Sequence, residues 1–337
     1  MHPSSIDIIT IRETPEERAH DFVPKKFDDY LGQAVLKEKL SVYTQAAKMR
    51  NEPLDHMLLS GPPGLGKTTL ASIMADIMGV SMKLCSGPTL ERTGDLVAIL
   101  SSLAQRDILF IDEIHRMPST VEELLYSAME QFRIDVVIGQ GAGAKSVSLP
   151  INPFTLIGAT TKAGMISAPL RSRFGINERL EYYNAEELQK IILQSARFFA
   201  LPITDDAALI IAKASRGTPR IAKKLLRRVR DFAQVKKEIP DATLVTNALT
   251  FLGIDQEGLT TIDMLILRTM LTLFNGGPVG IETIASLIGE DAETVESVYE
   301  PFLMRAGYIE KTPRGRQIIP LKMPFLKKRF LGQENLL

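Results

Sequence analysis

"GPPGLGKT", residues 61–68, decides the fold. It fits the pattern G-x-x-x-x-G-K-[ST], and its flanks place it where that pattern works. "DHMLLS" before it reads as a short apolar strand, and "TLASIMADIMG" after it as a helix. Glycines let the backbone turn its N–H groups inward around phosphate oxygens, and the helix that follows adds the positive end of its dipole. Lys67 then reaches toward β- and γ-phosphates and Thr68 toward a magnesium ion.

A phosphate loop of this kind needs an acid from a second strand. "DILFIDE" (107–113) is a short apolar run ending in two carboxylates, the pattern of a buried parallel strand. Asp112 is the candidate metal contact, and Glu113 can orient or deprotonate an attacking water, which favours hydrolysis over transfer to a metabolite. "STVEELLYSAMEQF" (119–132) reads as a helix, with Ser119 and Glu122 as a capping box and Leu125, Met129 and Phe132 as its apolar stripe. "FTLIGATT" (154–161) is a further buried strand ending in Thr160 and Thr161. Taken alone those threonines are loop caps; in this order they can also touch a γ-phosphate or the water. Strands alternating with helices predict an α/β domain with a parallel sheet.

Outside this core the pattern changes. Residues 1–23 are polar and unpatterned and are expected to form a flexible arm, and a helix opens near Gln33 with Val35, Leu36, Leu40 and Tyr43 on one face. After residue 181, helical stretches near 185–199 and 205–236 are interrupted by "RGTPR" without any strand signal, so a small all-α domain is expected. Beyond "GIDQEG" (253–258) come helices near 261–274, 281–288 and 292–306, then "YIEKTPRGRQIIP", two short strands around a Pro-Arg-Gly turn. That is the order of a winged helix-turn-helix. The expected domains are 1–181, 182–252 and 255–337.

Bulk composition narrows the function classes. With 45% hydrophobic and 24% charged residues over 337 positions, the chain can build two or three ordinary cores. Lys+Arg and Asp+Glu both total 40, so any basic surface must be local. One cysteine, Cys85, allows no internal disulfide, and the four histidines are scattered without metal-ligand spacing. The first residues carry Glu13, Glu16 and Glu17 and lack the apolar stretch of a signal peptide, and no run approaches a membrane span, so no membrane role is expected.

In order along the chain, "GPPGLGKTT", "LFIDEIHR", "LIGATT", "PLRSRFG" and "RGTPRIA" resemble the Walker A, Walker B, sensor 1, arginine-finger and sensor 2 motifs of AAA+ ATPases. With "LLRRVRDFA", "GGPVG" and "KTPRGR", the spelling from about residue 20 to 320 is similar to the RuvB family of Holliday-junction branch-migration motors. The resemblance implies a homo-hexameric ring on duplex DNA at Holliday junctions. It would be driven by ATP with Mg²⁺, work with the junction-binding protein RuvA and the resolvase RuvC, and reside in the bacterial cytoplasm. Residue by residue, it places Gly64, Lys67, Thr68 and Thr69 in the nucleotide loop, Thr161 at sensor 1 and Arg220 at sensor 2. Phe22 and Val23 fall beside the base, where the family commonly has an arginine in place of Val23. Glu130, Gln131, Phe132 and Tyr183 fall among the nucleotide contacts. Arg173, beside Phe174, is the finger serving the neighbour's nucleotide, and Arg171 braces the interface or the loop.

Two further surfaces are expected. From Arg305 to Arg329 there are eight basic residues opposed only by Glu310, either a solvated tail or a phosphate-binding footprint. Arg314 and Arg316 flank a glycine at the hairpin tip. The resemblance places DNA contacts at Lys311 and Arg316, with a third contact position occupied here by Ala292. "EDAETVESVYEP", in the place of a recognition helix, carries five acids and no base, so DNA contact by the wing without sequence reading is expected. "FRIDVVIGQGAGAKSVSLPINP" (132–153) reads as a long hairpin, either a packed strand pair or a docking surface. The resemblance makes it the RuvA-binding element, through Ile134, Val136 and Ile138. A clamp-loader-like ATPase would ordinarily carry a collar domain in place of the winged head. An AAA+ transcription activator needs a Gly-Ala-Phe-Thr-Gly-Ala loop, which is absent.

Overall fold

The computed structural model describes residues 21–138 and 145–332. Residues 1–20 of the arm expected over 1–23, and the Gly/Ala hairpin tip, lie outside these residues. Two compact units emerge. One holds Phe22–Ile191 with Thr218–Arg220; the other holds Asp21, Ile192–Gly217 and the chain from Ile221 onward.

The first unit is built on a parallel sheet of five strands: β1 (Met57–Ser60), β2 (Met82–Ser86), β3 (Ile108–Asp112), β6 (Thr155–Thr160) and β7 (Ile176–Arg179), in the order β2-β3-β6-β1-β7. All six residues of β6 are buried, which is why it reads as an unbroken apolar run rather than an alternating one. Register decides where the chemistry collects. Ser60 pairs with Thr160 across β1 and β6, and Asp112 pairs with Ser86 across β3 and β2, so the strand ends that bear polar groups leave the sheet on one edge. That is the edge where open α/β sheets bind ligands.

Helices α1 (Ala34–Arg50), α2 (Lys67–Met78), α3 (Thr93–Ser101), α4 (Ser119–Gln131) and the short α5 (Ala168–Ser172) complete the unit. The expected capping box on α4 does not form. Pro118 takes the cap position and its carbonyl already accepts the N–H groups of Val121 and Glu122, which puts Ser119 inside the helix. The Glu122 carboxylate bonds Tyr126 and Ser167 instead. The predicted hairpin is present as β4 (Arg133–Ile138) against β5 (Lys145–Pro150), antiparallel and separate from the main sheet.

The second unit contains the all-α segment and the winged head. Helix α6 (Ala185–Phe198) leads into it, followed by α7 (Asp205–Ala214), α8 (Pro219–Lys236) and α9 (Ala242–Phe251). Thr204 and Asp241 cap α7 and α9 by accepting the N–H groups of Ala207 and Leu244. The head follows with α10 (Thr261–Phe274), α11 (Ile281–Ile288), a helical run from Ala292 to Arg305 that widens over Val295–Tyr299, the hairpin β8 (Ile309–Thr312) and β9 (Gly315–Ile318), and α12 (Met323–Leu331). A buried ion pair pins the two parts. Arg216, which opens the "RGTPR" break, sits at φ 54°, donates to the Gly258 carbonyl at 2.9 Å and bonds the fully buried Asp263 of α10. Its guanidinium also lies 4.1 Å from the centre of the Phe302 ring. Among the described residues no helix is long and apolar enough to cross a membrane.

Candidate functional site

The phosphate loop leaves β1 at Ser60 and closes at Lys67, the first residue of α2. Gly64 and Gly66 hold φ of +77° and +100°, which side chains rarely adopt. A Cβ on Gly64 would come within 2.8 Å of Arg220 Cβ and 2.9 Å of Thr218 Cγ2, and the Arg220 N–H donates to the Gly64 carbonyl. The Thr218–Arg220 turn therefore packs directly on the loop. Lys67 Nζ donates to the carbonyls of Gly61 (2.7 Å) and Pro62 (2.9 Å). Burial pushes this ammonium below its ordinary pKa, while Asp112 and Glu113 draw it back up. Tyr30 hydroxyl donates to the Leu65 carbonyl at 3.1 Å. The Tyr183 hydroxyl lies 2.8 Å from that of Tyr30 and 3.2 Å from the same carbonyl. Tyr183, expected among the nucleotide contacts, is thus buried against the loop's own backbone, and burial pushes its phenol up to about 12.

The second half of the site hangs from β3 and β6. Glu113 adopts the left-handed backbone (φ 48°), a costly conformation for a residue with a side chain. The chain passes so close here that a Cβ on Gly87 would lie 2.4 Å from the Glu113 carbonyl oxygen. Thr161 Oγ1 donates to Glu113 Oε2 at 3.0 Å, and His115 Nδ1 lies 3.2 Å from the same oxygen and 2.9 Å from Thr160 Oγ1. The Lys162 N–H donates to that Thr160 hydroxyl. Thr161 holds the carboxylate directly, and Thr160 reaches it only through the His115 imidazole. Burial lowers the His115 pKa, although Glu113 opposes it, so the ring is neutral near pH 7. Thr161, expected to cap a loop or to touch the γ-phosphate or the water, bonds Glu113 here. His115 and Thr160 were not singled out for this network, although "DEIHR" placed the imidazole two residues past the carboxylate.

Among the described residues no three His, Cys, Asp or Glu gather into a metal cluster. A magnesium ion that takes most of its ligands from phosphate and water needs only a hydroxyl and a carboxylate from the protein, and Thr68 and Asp112 supply that donor set. The loop conformation and its lysine fit a nucleotide polyphosphate equally well.

The two arginines of "PLRSRFG" part company. Arg171 is exposed and lines a 480 Å³ cavity with Gly61, Pro62 and Thr161 of its own chain. Arg173 turns toward α4, with Nε 3.1 Å from Glu130 Oε1 and its guanidinium over the Tyr126 ring. Glu130 is thus the counter-ion of Arg173. Phe132 packs its ring on His56 and Phe154, and its carbonyl accepts from Ile151, so this residue serves the core. Gln131 and Val23 are exposed and Phe22 is half-buried.

Three family models cover most of the chain end to end: the Holliday junction DNA helicase RuvB P-loop domain over residues 22–180, the RuvB AAA lid domain over 183–255, and the RuvB C-terminal winged helix domain over 256–327. The chain belongs to the RuvB family. It is 55% identical to the Holliday junction branch migration complex subunit RuvB of Limosilactobacillus reuteri and 54% identical to that of Enterococcus faecalis, covering 93% of each chain in both cases. The solved Thermotoga maritima RuvB Holliday junction branch migration motor superposes with a TM-score of 0.80 at 48% identity, over 90% of this chain and 98% of that one. A variant of the same motor gives 0.82 over 91% and 99%.

Two expectations are corrected, one in the winged head and one in the β4–β5 hairpin. Arg316 does not reach out from the hairpin tip. It is buried, with Nε 2.9 Å from Glu300 Oε1, Nη2 3.0 Å from Glu300 Oε2 and Nη2 3.2 Å from Glu296 Oε1. Those carboxylates hold its pKa above the ordinary arginine value. Lys311 pairs with Glu296 at 3.2 Å on the surface. Two acids of the "recognition" segment, Glu296 and Glu300, are therefore partners of the wing. Arg314 remains exposed at the tip, and Ala292 opens the acidic run. In the RuvB hairpin, Ile134 is fully buried in the core of the first unit, so it is a packing residue and not part of an exposed docking face. Its strand neighbours Val136 and Ile138 pair with Val147 and Lys145. Among the side chains described on this hairpin, Val147 and Leu149 are exposed large apolar ones.

Proposed function

We propose that this RuvB-family chain hydrolyses ATP with Mg²⁺ and uses the work to drive branch migration of Holliday junctions. The observation that carries the reading is a hydrolytic phosphate-loop site in a chain whose second unit ends in a winged head of the RuvB type. Bound magnesium would neutralise charge on the phosphates. Thr68 and Asp112 would hold it, Lys67 would meet the β- and γ-phosphates, and Glu113, oriented by Thr161, would take the proton of the attacking water. Arg220 rests on the loop beside the triphosphate, and Arg173 serves the site of the next protomer, so the working form is a homo-hexamer in the bacterial cytoplasm. Domain limits near 181 and 252–255 separate the ATPase, lid and head.

Duplex contact is assigned to Arg314 and Lys311, with Arg316 shaping the wing from inside. RuvA is assigned to the hairpin through Val147, Leu149 and the neighbouring Val136 and Ile138, and RuvC acts with both. The deciding assay is ATP-dependent movement of a synthetic four-way junction, with and without RuvA. Movement that needs ATP and is accelerated by RuvA supports the reading. ATP hydrolysis with no junction movement under either condition removes it.

A further inference from the structure

We propose that Tyr126 is the positioning residue for the arginine finger, a flat platform that carries Arg173 and aims it out of its own protomer. The inference rests on the reading of Arg173 as a finger acting on the neighbouring site.

The geometry begins with α4. Glu122, Tyr126 and Glu130 are spaced four apart and form one stripe along the helix. This stripe faces α5, at whose end Arg173 sits. The Arg173 guanidinium carbon lies 4.3 Å from the centre of the Tyr126 ring, and Nη1 donates to the Pro169 carbonyl at 2.7 Å. Nε is 3.1 Å from Glu130 Oε1 but makes no aligned hydrogen bond with it. The ring is itself fixed. Tyr126 hydroxyl donates to Glu122 Oε1 at 2.6 Å and lies 3.4 Å from Ser167 Oγ. Ser167 also bonds the Glu122 carboxylate and caps α5 by accepting the Leu170 N–H. One carboxylate thus ties together the ring under the arginine and the cap of the helix that ends in it.

A ring suits this task better than a carboxylate. An ion pair takes up the N–H fork that phosphate oxygens need. A stacked ring supports the flat face of the cation and leaves the in-plane N–H edges available. The Glu130 contact, on an exposed side chain and poorly aligned, is the part that can be surrendered; the stack is the part that can be kept.

The test is a mixing experiment with full-length chains. A Lys67→Ala chain can donate the finger but has a dead site; an Arg173→Ala chain has a live site but no finger. Their mixture restoring hydrolysis is the control. Tyr126→Leu is then placed on one chain at a time. On the Lys67→Ala chain it should lower kcat of the mixture by about tenfold, a part of the roughly 10³–10⁵ such a finger supplies, with KM for ATP unchanged. On the Arg173→Ala chain it should change nothing, and Tyr126→Phe on the donor chain should restore most of the rate. An equal loss in both arrangements, which misfolding would also give, overturns the platform role, as does no loss in either. A silent control mixture instead removes the finger reading itself.

Discussion

Arg316 holds both oxygens of one carboxylate: its Nε lies 2.9 Å from Glu300 Oε1 and its Nη2 3.0 Å from Glu300 Oε2, and both side chains are buried. Breaking such a pair from one side strands a buried charge, at a cost of about 3–5 kcal/mol. Arg316→Ala should therefore lower the unfolding midpoint of the chain sharply. Arg314→Ala, at the exposed tip, should leave stability within about 0.5 kcal/mol and weaken duplex binding, reducing the salt dependence by about one phosphate contact. Denaturant melts beside salt-titrated DNA binding separate the two. Equal stability losses would refute the division of labour.

Thr161 bonds the Glu113 carboxylate, the base in the proposed reaction. Replacing a hydrogen bond to a charged group costs about 1.5–3 kcal/mol. Thr161→Val should thus cut kcat for ATP roughly tenfold to a hundredfold while nucleotide affinity stays near that of the parent. Single-turnover rates against equilibrium nucleotide binding decide it; a matching loss of affinity would mean the threonine holds nucleotide instead.

His56 is locked in one tautomer: the Leu156 N–H points at Nδ1 (2.8 Å), and Nε2 donates to the Met129 carbonyl (3.1 Å). A second proton would have to sit on Nδ1, facing another N–H. Burial lowers the pKa of this ring below its usual 6.5. The unfolded chain then binds the proton first on acidification, so the stabilisation is present above about pH 6.5 and is lost as pH falls through the lowered folded value. His115, shifted the same way, adds to the slope. Thermal midpoints should decline between pH 7 and 5, and His56→Gln should flatten that decline. An unchanged slope in the variant would place the acid sensitivity elsewhere.

The hairpin offers a paired comparison. Ile134→Ala removes a fully buried side chain and should cost about 2–5 kcal/mol, lowering ATPase activity with and without RuvA alike. Leu149→Ser, opposite it in register and exposed, should reduce RuvA stimulation far more than the RuvA-free rate. Hydrolysis rates at a series of RuvA concentrations, read beside thermal melts, check both.

Contiguous chemistry was legible in advance; chemistry assembled across the chain was not. The loop of Gly64 and Lys67, the strand ending in Asp112 beside Glu113, and the strand ending just before Thr161 could be read because each is a short contiguous run. Strand β2 escaped notice because it is an edge strand only partly buried, so "MKLCS" carries no apolar run. Glu122 looked like half of a capping box because spacing cannot reveal that a proline has already taken the cap. Arg316 looked like a DNA contact because its partner Glu300 lies 16 residues away, across the head. Asp263 shows the same limit. It completes a local capping box with Thr260, yet it also bonds Arg216, 47 residues upstream.

The two tyrosines behind the phosphate loop carry a last consequence. Tyr30 and Tyr183 fasten the Leu65 carbonyl from the buried side, so the loop's shape is imposed during folding of the domain and not at the moment of ligand capture. The ordering entropy is met by the core, and a nucleotide arriving at a preorganised cradle loses less affinity to it. Nucleotide affinity and the melting of this corner of the domain are then linked quantities: whatever loosens the tyrosine pair should raise the Kd for nucleotide before it unfolds the chain.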